Sequence, residues 1–234
     1  MNIFFKLLKI SLCSAFMMIC NQFPAAAASA NEKPCYACHP SKLTKKVPHP
    51  PVAEKDCKAC HKSEGGNHQL QKGLYGVKKQ GASICYDCHD AEMAKGKSVH
   101  APVSDNDCVS CHDPHGGSRA RFLKGNYPAA SEAAFSEDGY SLCLSCHEPK
   151  AFTDDETGSA TGFRDGKTNL HALHVKGAAL TCKACHNVHA APQQKLLSNA
   201  SKNKNGVEIL LNMTFSASGG SCKMTCHSPA TYNR

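Results

Sequence analysis

The chain has 234 residues with 16 Cys, 14 His, nine Phe, six Tyr and no Trp. So many cysteines exclude an ordinary enzyme of the reducing cytosol and leave a disulfide scaffold, a zinc protein or a protein with covalently attached haem. The formal charge of +8 would suit nucleic acid, but basic clusters such as Lys78-Lys79 are short and lack interleaved aromatics, so no nucleic-acid partner is expected.

Residues 1–30 read as an export signal. Lys6 and Lys9 precede an apolar run from Ile10 to Phe23, Pro24 closes it, and Ala28-Ser29-Ala30 fits a small-residue cleavage site. The run is short for a bilayer span. Leu12 and Ile19 are large where a lipid-modified cysteine wants a small neighbour. Cleavage removes Cys13 and Cys20 and leaves 204 residues with 14 Cys, 14 His, five Phe and six Tyr. That is thin apolar content for a core of this size, so something besides side chains is expected to fill the interior. No second long apolar run follows, so the mature chain is expected to lack a transmembrane segment and to lie in the periplasm or outside the cell.

From residue 33 onward, all 14 cysteines fall into seven pairs, each followed at once by His. Six are C-x-x-C-H: Cys35/Cys38/His39, Cys57/Cys60/His61, Cys85/Cys88/His89, Cys108/Cys111/His112, Cys143/Cys146/His147 and Cys182/Cys185/His186. The seventh, Cys222-Lys-Met-Thr-Cys226-His227, is one residue longer. This is the haem c attachment pattern. Two thiols add to the two vinyl groups of one porphyrin edge, and the next residue supplies the proximal imidazole. Zinc ribbons and disulfide scaffolds have no need of a His after every second Cys. Seven covalent haem c groups are therefore expected.

Seven other histidines remain: His49, His68, His100, His115, His171, His174 and His189. Their number equals the number of irons. His49, His100 and His174 each stand eight residues before the first Cys of a motif. His115 and His189 each stand three residues after a proximal His. Residues three apart on a helical turn project from nearly one face, so His115 and His189 are expected to reach a neighbouring iron. The H-x7-C histidines have slack to cover their own haem or the one before. His68 and His171 have no repeated offset. With all seven as ligands, every iron is six-coordinate and the catalytic residues are none. Met93, Met213 and Met224 read as apolar filler.

The motifs come in twos, an internal repeat that divides the chain into haem-pair modules 33–68, 83–116 and 141–190, with a C-terminal haem segment 191–234. Each module is expected to contact mainly its neighbours. Prolines at 40, 48, 50, 51, 102, 114, 128, 149 and 192 limit helices to short pieces near 36–39, 86–95 and 183–187. Val207 to Phe215 reads as the one short strand. Asp154-Asp155-Glu156 with Thr157-Gly158 reads as an exposed turn. The expected fold is mostly irregular, with short α-helices around the haem motifs, a haem-filled core and little or no sheet. Fourteen propionates against seven ferric irons bring the net charge of the mature holoprotein to about −1, so the lysines balance the cofactors.

These features resemble the multihaem c-type cytochromes with doubled C-x-x-C-H motifs. The resemblance covers nearly all of residues 33–234. It rests on His100-Ala-Pro-Val running to Cys108, on Cys111-His112-Asp-Pro-His115-Gly, on Gly162-Phe-Arg-Asp-Gly166 followed by Asn169-Leu-His171-Ala-Leu-His174-Val, and on the tail Gly219-Gly-Ser-Cys222 to Cys226-His227-Ser-Pro-Ala-Thr-Tyr-Asn-Arg234. One departure is that His61 is followed by Lys-Ser-Glu-Gly-Gly-Asn-His68, without His at the third position. The family implies electron transfer in periplasmic or extracellular anaerobic respiration. It implies partners among other cytochromes or redox proteins, an outer-membrane conduit or a metal acceptor. Two further readings stay open: a reductase with one open haem for nitrite, hydroxylamine or a sulfur oxyanion, and a subunit of a haem filament or porin-bound conduit. Intact-mass measurement with a pyridine haemochrome assay should count seven haems on a chain beginning after Ala30; a count of six would contradict attachment at every motif.

Overall fold

In the computed structural model, residues 33–66, 68 and 70–234 are described. The expected leader, residues 1–30, lies outside them. Side chains build little core. The buried apolar residues are small or scattered, among them Ala82, Ala172, Ala184, Ala190, Ala191, Leu197 and Leu211, and the largest fully buried side chains are Tyr140 and Asn169. In place of a core, one continuous cavity of about 2790 Å³ runs through the described fold. Ordinary ligand pockets hold roughly 300–1,000 Å³. This one is lined by residues of all seven motifs and by the seven additional histidines.

Regular structure is short, as the prolines dictate. Five motifs close one and the same bond, from the histidine N–H to the carbonyl of the first cysteine: His39 to Cys35 and His89 to Cys85 at 2.9 Å, His112 to Cys108 at 3.1 Å, His147 to Cys143 at 3.0 Å and His186 to Cys182 at 2.9 Å. One helical turn therefore carries both thiols and the imidazole, which accounts for the C-x-x-C-H spacing. The helix expected near 36–39 is Cys35–Cys38. The pieces near 86–95 and 183–187 are tighter 3₁₀ turns, Gly81–Asp87, Ala91–Ala94 and Cys182–Ala184.

The H-x7-C spacing also has a structural cause. After His49 and His100 come single turns, Pro50–Ala53 and Ala101–Ser104, each with proline in its first positions. Each turn is stopped by a left-handed residue, Lys55 (φ 61) or Asn106 (φ 60), one residue before the acid that precedes the cysteine.

Two short antiparallel clasps join distant parts of the chain. Val47–Pro48 pairs with Gly117–Gly116, and Ser98–Val99 pairs with Ala191–Ala190. In each, a histidine N–H meets the carbonyl of another histidine: His49 to His115 at 3.5 Å and His100 to His189 at 2.9 Å. The clasps thus cross the boundaries expected between modules.

Sheet content exceeds the expectation. Residues Ala200–Lys202, Glu208–Ser216, Gly219–Met224 and Ala230–Asn233 form a four-stranded antiparallel meander. The strand expected at Val207–Phe215 is its longest member, and its burial alternates along the chain as a half-covered strand requires. Cys222 lies on the third strand, so the seventh motif begins extended where the others begin in a helical turn. Asp154, Asp155 and Glu156 are exposed, as expected of a turn, whereas Thr157 is buried.

The first clasp depends on Gly116, whose φ of +112 is open only to glycine and whose missing Cβ would strike the Val47 carbonyl. Gly116→Ala should lower stability by about 1–3 kcal/mol, the usual cost of such strain, and displace both His49 and His115. Denaturant unfolding of the holoprotein with low-spin absorbance as the probe measures both effects.

Candidate haem-binding sites

The fourteen described cysteines form no disulfide, and among the described residues no three His, Cys, Asp or Glu side chains converge on a point as a bare metal ion would need. The histidines stand in pairs instead. His49 and His89 have ring centroids 6.1 Å apart, His61 and His115 6.2 Å, His100 and His147 6.1 Å, and His112 and His189 6.2 Å. His171 and His186 are 6.4 Å apart, as are His174 and His227. In five pairs the ring planes lie within 11–27° of parallel; in the last they are tilted by 43°. Every pair joins one proximal histidine of a motif to one of the seven additional histidines.

That separation suits an iron between two imidazoles. A metal–imidazole bond is about 2.0–2.1 Å, so two in line plus the half-widths of the rings fill the observed gap. The free nitrogen is also fixed. His49 Nδ1 lies 3.0 Å from the Pro114 carbonyl, His100 Nδ1 3.0 Å from Val188, His112 Nδ1 2.7 Å from Arg121, His174 Nδ1 2.6 Å from Leu170, His186 Nδ1 2.8 Å from Lys195 and His227 Nδ1 2.6 Å from Ser228. A carbonyl only accepts, so each of these rings carries its proton on Nδ1 and leaves the Nε2 lone pair for a metal. His171 Nδ1 is 3.0 Å from Thr161 Oγ1. Burial favours neutral rings. It holds His171 down at about 4 and also lowers His115, His147, His186 and His189.

Two carbonyls that orient proximal rings come from strained backbone. Arg121 and Phe122 (φ 57 and 58), and Lys195 and Leu196 (φ 58 and 59), are left-handed pairs without glycine. In both loops the first member's carbonyl meets the proximal ring nine residues earlier. The second member's carbonyl accepts from Asp113 N (2.9 Å) or Asn187 N (2.8 Å), and Lys124 or Ser198 closes onto Cys111 or Cys185. The same loop is built twice from different side chains, so the sequence shows only its nine-residue spacing.

The rings settle which histidines meet. The rings of His115 and His189 face the proximal rings of motifs other than their own, His61 of the second and His112 of the fourth. The H-x7-C histidines meet neither their own motif nor the preceding one. His49 lies opposite the third motif, His100 opposite the fifth and His174 opposite the seventh, one motif beyond their own in each case. The reason is the clasp, which turns His49 and His100 toward the following module. His171 lies opposite His186 of the sixth motif. It sits one helical turn before His174, in Leu170–Ala172 and the wider turn Leu173–Gly177 that follows. Asn169 caps this helix with its side-chain oxygen on His171 N and Ala172 N, while its amide donates to the Ala151 and Asp154 carbonyls. His39 and His68 both line the cavity, and the His68 ring packs on Tyr75 at 4.7 Å.

The motifs follow one another in space as in the chain. Burial, then the adjacent Cys35 thiol, raises Cys57; burial, then Cys108, raises Cys85, with Cys60 also near. Donating its thiol hydrogen to Cys182 raises Cys143, which also feels Cys111. Cys185, raised to about 11 by burial, neighbours Cys226 and Cys222. Tyr140, whose buried hydroxyl has no partner in the protein, lines the cavity beside Cys143 and Cys182. Such an orphan calls for a group that the protein itself does not supply. Paired rings, oriented lone pairs, and a cavity lined by the motif thiols all fit haem c.

Residues 49–94 and 100–152 each match the family described as the doubled CXXCH motif. Over 146 residues the chain is 27% identical to the Multiheme cytochrome MtrA of Shewanella baltica (strain OS185). That alignment takes in 56% of this chain and 38% of the relative, so the chain spans well under half of that protein's length. No solved structure matches the chain.

Asn169 is 1% exposed and satisfies four backbone groups at once. Asn169→Ala should cost about 2 kcal/mol or more, combining a lost cap with orphaned buried carbonyls. It should loosen His171 and His174 together, which thermal unfolding followed in the haem absorption band would register.

Proposed function

We propose that this chain, a multihaem c-type cytochrome that binds haem c covalently through its CXXCH motifs, is an electron-transfer protein with seven haems arranged in chain order. Haem c, when bound, supplies an iron that exchanges one electron between its ferric and ferrous states. The protein's part is to hold, orient and tune these centres. Cys35 with Cys38, Cys57 with Cys60, Cys85 with Cys88, Cys108 with Cys111, Cys143 with Cys146, Cys182 with Cys185 and Cys222 with Cys226 anchor the porphyrin edges. The motif histidines His39, His61, His89, His112, His147, His186 and His227 serve as proximal ligands. His68 serves the first site, and the remaining six distal ligands follow the ring pairs: His115 on the second, His49 on the third, His189 on the fourth, His100 on the fifth, His171 on the sixth and His174 on the seventh.

The observation that carries this reading is the set of six imidazole pairs, each at the spacing of two axial bonds. Two imidazoles on an iron leave no position for a substrate, and axial saturation is what separates electron carriage from activation chemistry. Two imidazoles stabilise ferric iron better than a thioether ligand does, so low potentials are expected. Among the described residues no helix is long and apolar enough to cross a membrane. The leader-like residues 1–30, together with the seven attachment motifs, support a place in the periplasm or outside the cell. The partners in this reading are other cytochromes or redox proteins, with an outer-membrane conduit or a metal acceptor at the far end of the chain of sites.

Donation by the H-x7-C histidines to the following motif makes a distinctive prediction. His49→Ala should turn one haem in seven high-spin, and magnetic or resonance spectra of double variants should assign it to Cys85/Cys88, leaving Cys57/Cys60 low-spin. A high-spin haem at Cys57/Cys60 would contradict the assignment.

A further inference from the structure

The two clasps are repeats that differ in one charged pair. Val47–Pro48 against Gly117–Gly116 occupies the same register as Ser98–Val99 against Ala191–Ala190, so His49 corresponds to His100 and His115 to His189. Two residues before the crossing histidine stands Asp113 in the first clasp and Asn187 in the second. Each side-chain oxygen accepts the backbone N–H of that histidine, at 3.0 Å from His115 and 3.2 Å from His189. Four residues before the other histidine stands Lys45 in the first clasp and Gly96 in the second. Lys45 Nζ lies 3.0 Å from Asp113 Oδ2, with both side chains about one-third exposed, at 33% and 29%. At Gly96 a side chain has no room, because its Cβ would lie 2.6 Å from the Ala191 carbonyl oxygen. An ion pair in one clasp is thus replaced by an amide and a glycine in the other, with the strand register kept.

Asp113 has a second contact. Its Oδ1 stands 3.4 Å from His115 Nδ1. A carboxylate beside the outer nitrogen of a ligating imidazole places negative charge behind the ring, strengthens Nε2 as a donor and favours the more positive metal state. We infer that Asp113 is a positioning residue that acts through His115 to lower the reduction potential of the haem attached at Cys57 and Cys60, a device that the haem at Cys108 and Cys111 lacks because Asn187 stands in its place. The couple involved is a single electron onto ferric iron, with no proton or bond exchanged. Lys45 keeps the carboxylate in place through their ion pair. The inference rests on His61 and His115 sharing one iron, as proposed above.

Asp113→Asn is the direct test, because Asn187 shows that an amide keeps the hydrogen bond to the histidine backbone. In the holoprotein, a redox titration that resolves the haems individually, by NMR or EPR, should find one of seven potentials raised. The change expected is about tenfold in the oxidised-to-reduced ratio, or about 59 mV for one electron. Asn187→Asp should lower one different potential. The inference is overturned if Asp113→Asn moves no potential, moves all seven alike as distant charge would, or turns a haem high-spin as a purely structural support would. His115→Ala separates the two levels. If it leaves every haem low-spin, the ligand assignment fails; if it unligates one haem while Asp113→Asn shifts nothing, only the role of Asp113 fails.

Discussion

An imidazole whose Nδ1 is tied to a backbone carbonyl has one nitrogen left to offer. Six rings of this protein are held that way. Because the carbonyls come from the backbone, the lone pairs are aimed by the fold itself, through proline-started turns and strained left-handed pairs. The rest of the architecture follows from that constraint. A chain with so few buried large side chains cannot hold itself by hydrocarbon packing alone. Its elements gather around a cavity whose walls carry the cysteines and histidines of all seven motifs. In this account cofactor attachment and folding are one process, as for other small domains organised by a bound metal.

The two clasps make the array interdependent. Each brings two histidines together beside paired strands, His49 with His115 and His100 with His189, and each ring faces the proximal histidine of a motif across its clasp. In the proposed reading the exchange is reciprocal, so neither module is complete alone. The ends of the array depart from this pattern. At the third position after His227 stands Ala230, and the ring opposite His186 of the sixth motif is His171, one turn before His174 on the same helix. At the third position after His61 stands Glu64 in place of a histidine.

Much of this was legible in residue spacing. C-x-x-C-H is a single helical turn, and the offset of three in Cys-His-Asp-Pro-His forces the two rings apart onto different partners. The H-x7-C offset showed its regularity but not its direction, because the direction depends on a two-residue strand pairing between Val47–Pro48 and Gly116–Gly117, more than sixty residues away. Nothing in so short a strand marks its partner. The left-handed pairs at Arg121–Phe122 and Lys195–Leu196 were hidden for a related reason. Glycine or asparagine would have announced them, whereas here tertiary bonds to the proximal rings and to Asp113 and Asn187 hold ordinary residues in that region. The C-terminal meander was half visible. Its longest strand alternates, but Gly219–Met224 holds the first cysteine of the seventh motif and reads as motif before it reads as strand.

The proposition under all of this is that imidazole saturates the irons, so that electrons pass while molecules are left unchanged. Carbon monoxide titration of the undamaged, fully reduced holoprotein tests it most directly. The account predicts that the absorption spectrum keeps all seven haems low-spin and takes up no gas. Uptake at even one centre would contradict it and would make that centre a place where small molecules bind.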